Sequence, residues 1–134
     1  HYQAEVNEFL VQLNNAYHNS IFVVGATNHL NMIDDAIKRP GRFDLKLFVG
    51  PPDLEARIEA FKKCLGNRPY KISNWIYLGE ETEYYTYSEI TYIVEQTIRE
   101  VIQHRKEVID LNDLMKVITL TKPELNEVKL RSYM

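Results

Sequence analysis

The sequence predicts an α/β segment, two strands with flanking helices, followed by an all-α segment. Three observations carry that prediction. Residues 21–25 (Ile-Phe-Val-Val-Gly) form an apolar run without alternation, which suits a strand buried on both faces of a parallel sheet. Residues 45–49 offer a second strand, closed by the breaker Gly50-Pro51-Pro52. Beyond Gly66-Asn67-Arg68-Pro69 the apolar spacing is wholly helical.

Each element has a local reason. Val6, Phe9, Leu10 and Leu13 recur at i, i+3, i+4 and i+7, which predicts an amphipathic first helix ending near Asn14 and Asn15. Residues 31–38 read as a short helical stretch, stopped by Pro40 and Gly41. Asp53 is a good N-cap for a helix through Leu65, with Leu54, Ile58, Phe61 and Leu65 on one face. Gly66 to Pro69 ends that helix, so the domains are drawn at 1–66 and 67–134. Thr86-Tyr87-Ser88-Glu89 has capping-box spacing: the threonine oxygen can accept a helix amide while Glu89 reaches back. The helix it opens carries a broad stripe of Ile90, Ile93, Val94, Thr97, Ile98, Val101 and Ile102. Asp110 caps a shorter helix with Leu111, Leu114 and Ile118, and a last short helix follows Asn126. Two strands do not complete a doubly wound sheet, and the chain opens His1-Tyr2-Gln3 without methionine. Both points suggest a piece of something longer.

Composition bounds the function. With 134 residues, 45% hydrophobic and 26% charged, the chain is long enough for one core and too apolar to be disordered. A net charge of −3 gives no bulk argument for nucleic acid or an acidic membrane surface. No apolar run approaches the roughly 20 residues of a membrane span. The single cysteine, Cys64, excludes an internal disulfide and the usual zinc clusters, and suits a reducing, cytoplasmic setting. The four histidines show no metal-ligand spacing.

The informative stretch is residues 23–53, VVGATNHLNMIDDAIKRPGRFDLKLFVGPPD. Asn28 stands just after the predicted first strand, where open α/β sheets place ligand-contacting groups. Its neutral amide can donate and accept, and so orient a water or touch a phosphate oxygen; the plainer role is capping the next turn. Arg39 and Arg42 flank Pro40-Gly41, a turn that can present two planar, permanently charged forks matched to phosphate oxygens. The plainer role is pairing with Asp34, Asp35 or Asp44. Phe43 and Asp44 are suited to holding the turn, by packing and by pairing with a backbone amide or an arginine.

This stretch resembles the second region of homology of the AAA ATPases, in which A-T-N, R-P-G-R-F-D and a P-D turn follow in this order. About 30 residues match in type and spacing. The resemblance implies the C-terminal half of a AAA module: a remnant of a P-loop NTPase α/β domain and a helical lid. It makes Asn28 the sensor-1 position, and Arg39 and Arg42 arginine fingers acting on ATP in a neighbouring subunit of a homo-oligomeric, hexameric ring. ATP and Mg²⁺ would be the cofactors of the longer protein, which would remodel another macromolecule. No G-x-x-x-x-G-K-[ST] run and no strand ending in acidic D-E is present, so this chain by itself is expected neither to hold them tightly nor to hydrolyse ATP. The family has small residues near the adenine where Tyr87 and Ser88 stand here; these two are the candidate nucleotide contacts. Tyrosine in that place can stack on the base, fill the pocket, or simply cover the lid core. The alternatives are a degenerate, non-hydrolysing scaffold and a helical interaction module built on residues 67–134. Intact Asn28, Arg39 and Arg42 argue against a scaffold.

Overall fold

The computed structural model describes residues 2–131, which fall into two compact units, His1–Leu47 and Phe48–Met134. The first opens with α1 (Tyr2–His18), which runs about one turn beyond the predicted end. Val6 and Leu13 are buried and Leu10 is half-buried, whereas Phe9, counted on the same stripe, lies 43% exposed. A 3-10 turn at Leu30–Met32 follows. The helical stretch expected at residues 31–38 is instead a pair of single turns. Asp34 O accepts from Ile37 N at 3.0 Å and Asp35 O from Lys38 N at 3.1 Å.

The two expected strands are not found where they were placed. Residues 21–25 and 45–49 belong to no ladder among the described residues. Phe22, Val24, Leu47 and Val49 lie largely exposed. The physical reason is pairing: an apolar run becomes a buried parallel strand only with neighbouring strands and covering helices, and no strand pairs with either run among the described residues.

The two-stranded sheet forms in the second unit. There β1 (Tyr70–Lys71) pairs in parallel with β2 (Ile109–Asp110), Tyr70 opposite Ile109. The helices of this unit are α2 (Leu54–Leu65), α3 (Trp75–Glu80), α4 (Tyr87–Gln103), α5 (Leu111–Leu120) and α6 (Glu127–Arg131), of which α4 and α5 pack on β2. Phe61, Leu65, Leu78, Ile90, Ile93 and Leu114 are fully buried in one cluster. Because α2 packs on α3 and α4, it goes with the helical unit. The turn at residues 66–69, where the sequence places a domain boundary, is therefore interior to a compact unit, and the compact division falls between Leu47 and Phe48.

Local chemistry sets the helix ends. Asp53 Oδ1 accepts from Ala56 N at 2.8 Å, and Gly66, at φ 59°, closes α2. The capping box of α4 forms as the spacing predicts: Glu89 N donates to Thr86 Oγ1 at 3.3 Å and Thr86 N to Glu89 Oε2 at 2.7 Å. Glu89 Oε1 also accepts from Glu124 N at 2.7 Å, so one carboxylate ties the start of α4 to the chain beyond α5. Asp110 and Asp113 make a second capping box on α5. Of the α4 stripe, Ile102 turns outward at 69% exposed, while the adjacent Val101 is buried. No described helix is long and apolar enough to cross a membrane.

Gly79 allows α3 to lie directly on α2. A Cβ there would stand 2.6 Å from Leu54 Cδ1 and 3.0 Å from Ile58 Cγ1. Gly79→Ala is expected to lower the stability of the helical unit by about 1–3 kcal/mol, as overpacking does. Thr86→Ala should cost about 1 kcal/mol through the lost cap. Chemical denaturation followed by Trp75 fluorescence measures both. An unchanged midpoint in Gly79→Ala would refute the tight approach.

Candidate functional site

The first unit carries the motif residues in a sequence of short turns. Thr27 Oγ1 accepts from His29 N at 2.9 Å, which bends the chain just after the first apolar run. Asn28 stands in that bend and is exposed. It does not cap the following 3-10 turn: His29 is the N-cap residue, and no side chain caps it. The Asn28 backbone is carried in the bend that the Thr27–His29 bond closes.

The arginine turn is held more tightly. Gly41 takes φ 86°, a left-handed conformation that favours glycine, and its N–H donates to Asp44 Oδ1 at 2.5 Å. Arg42 Nη1 donates to Ala36 O, which folds that half-buried side chain back over the turn. Arg39 is exposed. The Phe43 ring reaches back to Gly25, where a Cβ would meet it at 3.3 Å, so the turn rests on the end of the first apolar run. Phe43 and Asp44 hold the turn in the two ways their chemistry allows.

The three neighbouring carboxylates take their hydrogen bonds from groups other than the arginines, although the Arg39 charge also acts on Asp35. Asp34 Oδ1 accepts from Ala36 N at 2.8 Å, Asp35 pairs with Lys38 at 2.6 Å, and Asp44 takes the Gly41 amide. The Lys38 ammonium, bonded to Asp35, holds that carboxyl below its ordinary range. Among the described residues no hydrogen bond or ion pair joins Asn28 to either arginine, or an arginine to a carboxylate in this turn. The turn carries both Arg39 and Arg42, and Asn28 lies in a separate loop.

In the helical unit Tyr87 and Ser88 open α4. Both are exposed, Tyr87 at 58%, so the tyrosine neither fills a pocket of this unit nor covers its core. Tyr85 is the aromatic that does so. It is buried, its hydroxyl donates to Thr121 O, and burial, followed by the nearby Glu89 charge, pushes its phenol pKa up. No group of three or more His, Cys, Asp or Glu that could hold a metal occurs among the described residues.

Sequence reasoning passed over Arg57. It is 7% exposed; its Nε and Nη2 donate to Gly79 O at 3.1 and 3.0 Å, and Nη1 donates to Pro52 O at 2.8 Å. The available signal was positional: Arg57 lies three residues after Leu54 and four before Phe61, on the apolar face of its helix.

With this geometry in hand, likeness to known proteins is informative. Residues 1–51 match the family described as "ATPase family associated with various cellular activities (AAA)". The cell division cycle protein 48 homolog of Archaeoglobus fulgidus is 33% identical over 112 residues, 80% of this chain and 15% of that protein. Sequence and fold are those of the AAA+ ATPases. The ATP-dependent zinc metalloprotease FtsH 2 of a Thermoanaerobacter strain is 42% identical over 65 residues, 48% of this chain and 13% of that protein. The solved FIGL-1 AAA domain superposes with a TM-score of 0.78 over 95% of this chain and 47% of its own, at 23% identity, a likeness of fold. The chain spans well under a quarter of the length of these two curated AAA relatives. Its fold class is that of a P-loop NTPase-type core segment joined to a helical lid.

Replacing Lys38 by Met should return the Asp35 titration midpoint toward the ordinary aspartate value. The Asp35 carboxyl is depressed in the folded chain, so any stabilisation from the pair is present above the unfolded pKa and is lost as pH falls through the folded one. Carboxyl-detected NMR titration of the two proteins reads this directly. An identical midpoint in both would refute the pairing.

Proposed function

We propose that the chain supplies the sensor-1 and arginine-finger half of a ring-forming AAA ATPase that couples ATP hydrolysis to remodelling of a protein or another macromolecule. The observation that carries the finger reading is the arginine turn itself. Arg39 is exposed while Asp34, Asp35 and Asp44 are each committed to other groups. A surface pair kept for local ion pairing would use those carboxylates. Two guanidiniums three residues apart on a glycine turn suit the oxygens of a phosphoryl group in flight.

The residues present fit one part of a nucleotide site and not another. Asn28 offers a donor and an acceptor, and Arg39 and Arg42 offer fixed positive charge, but no stretch has the glycine-lysine spacing that cradles phosphates. ATP with Mg²⁺, held by a phosphate-binding half, supplies the transferable γ-phosphoryl group. Asn28 would orient the attacking water from its loop beyond the first apolar run. Arg39 and Arg42 would enter the site of the adjoining subunit and offset the charge on the equatorial oxygens, so the site is complete only between subunits. Tyr87 and Ser88, exposed at the start of α4, are proposed to lie near the base. A cytoplasmic, homo-oligomeric and hexameric setting belongs to the same proposal.

The 134-residue chain alone is expected to show no ATP turnover. Turnover that survives Asn28→Ala would refute that expectation. In a protein carrying this chain behind its phosphate-binding half, specific ATPase activity should rise with concentration. Arg39→Ala or Arg42→Ala should lower it by roughly 10³-fold or more with ATP binding retained. Equal rates in wild type and variants would sink the finger assignment, and no activity in any of them would favour a scaffold.

A further inference from the structure

The helical unit carries a long stretch of one charge sign. Residues 72–98 contain five glutamates, Glu80, Glu81, Glu83, Glu89 and Glu95, and no lysine, arginine or histidine. Part of that stretch forms the outward face of α3, whose Leu78 and Gly79 are buried where the helix packs on α2. Ile76 and Glu80 are four residues apart, as are Tyr77 and Glu81, so the two pairs lie side by side. Glu81 keeps helical backbone at the end of α3, and its N–H donates to Tyr77 O at 3.0 Å. All four residues are exposed, Ile76 at 61% and Tyr77 at 40%. The ion pairs of the helical unit use Glu59, Asp110, Asp113 and Glu127, and none among the described residues uses Glu80 or Glu81.

The turn after α3 adds a second observation. Tyr84 is a non-glycine residue at φ 68°, in the left-handed region where a Cβ is strained. Its charged neighbour Glu83, ahead of burial and Glu127, pushes the Tyr84 phenol pKa up; the nearby cation, Arg131, is itself paired with Glu127 at 2.5 Å. Such strain gathers where a side chain has a use. The corner of the core is filled by Tyr85, so Tyr84 is not held for packing there. The unit also shows how an aromatic and a carboxylate hold a cation together. Lys62 Nζ stands 5.6 Å over the Trp75 ring and pairs with Glu59 at 2.7 Å, and the Tyr70 ring meets the same indole edge-on.

We propose that the outward face of α3, continued through Glu83 and Tyr84, docks a partner-protein segment that alternates lysine or arginine with apolar residues. The cations of the segment meet Glu80, Glu81 and the tyrosine rings, and its apolar side chains cover Ile76. Charge complementarity selects this occupant. Nucleic acid and acidic membranes are repelled by the same carboxylates, and a second copy packed face to face would oppose them with its own. The surface lies within the helical unit, so the proposal does not depend on the ATPase reading.

The test is an amide NMR titration of the 134-residue chain with the acetylated peptide Arg-Leu-Arg-Leu-Arg, beside the charge-reversed Glu-Leu-Glu-Leu-Glu. The basic peptide is expected to give saturable shifts centred on residues 76–84 that weaken with added salt, and the acidic peptide none. Glu80→Gln combined with Glu81→Gln should weaken binding about fivefold. Tyr84→Gly should weaken it about threefold, while its chemical-denaturation midpoint stays level or rises because glycine relieves the strain. No saturable shift, unchanged affinity in either variant, equal binding of the acidic peptide, or shifts spread evenly over the exposed glutamates of α2 and α4 would each overturn the proposal. Shifts of the same face on concentrating the chain alone, with a dimer in sedimentation, would overturn it too and assign the face to a second copy.

Discussion

A guanidinium taken out of water loses several kcal/mol of hydration and regains it only through well-aligned acceptors. Arg57 meets that condition with main-chain carbonyls alone, two donors on Gly79 O and one on Pro52 O. The rest of the helical unit is arranged around this requirement. A Cβ at Gly79 would crowd Leu54 Cδ1 at 2.6 Å and Ile58 Cγ1 at 3.0 Å, so the glycine lets α3 lie close on α2. The acceptor also lies in the last turn of α3, where the Glu81 and Thr82 amides reach the same carbonyl. Thr82 adds its hydroxyl to the same carbonyl at 3.1 Å, so the end of α3 is closed by side chains from two directions. The net stabilisation from such an arrangement is small, because desolvation and bonding nearly offset each other. Its contribution is registry: α2, α3 and the chain entering α2 have one relative placement in which the cation is satisfied.

The first unit follows another logic. Its turns are closed by short-range bonds, side chain to backbone within a few residues, as in Thr27 to His29, Asp34 to Ala36 and Asp44 to Gly41. Such bonds need no distant partner. The arginine turn therefore keeps its form even though the apolar runs on either side of it pair with nothing among the described residues. A longer contact is that of the Phe43 ring over Gly25, where a Cβ would stand 3.3 Å from the ring.

This difference explains what could be read in advance. The Thr86–Glu89 and Asp110 caps, the α4 and α5 stripes and the Asp53 start of α2 depend on residues three and four apart, and they formed where that spacing put them. The strands at residues 21–25 and 45–49 were inferred from apolarity, which marks a segment that would be buried in a sheet but does not supply the sheet. α3 was passed over because Gly79 weighs against a helix when only propensity is counted. Its buried contacts with α2 override that weight. The two-residue pair β1 and β2 is too short to leave a period in the sequence. Arg57 was hidden for a related reason: a charge on an apolar face reads as an interruption until its acceptors, one of them in another helix, are known. Of the candidate site, the turn carrying Arg39 and Arg42 was legible because R-P-G-R-F-D is a local pattern. The exposure of Tyr87 was not, since it depends on how Tyr85 fills the corner beside it.

The two logics bear differently on function. A turn closed by its own bonds can present charged groups outward without needing them for its own stability, which is the arrangement expected of residues that act on something else. Arg39 meets that description more fully than Arg42, whose Nη1 is bonded to Ala36 O within the turn. Under the proposed function the pair would then divide the work: Arg42 shapes the turn in the isolated chain and must exchange the carbonyl of Ala36 for a phosphate oxygen, whereas Arg39 has no such bond to break. A charged bond to a partly buried carbonyl is worth roughly 1.5–3 kcal/mol. Under the proposed function that cost would fall on Arg42 alone, and Arg39 would reach a neighbouring site without it.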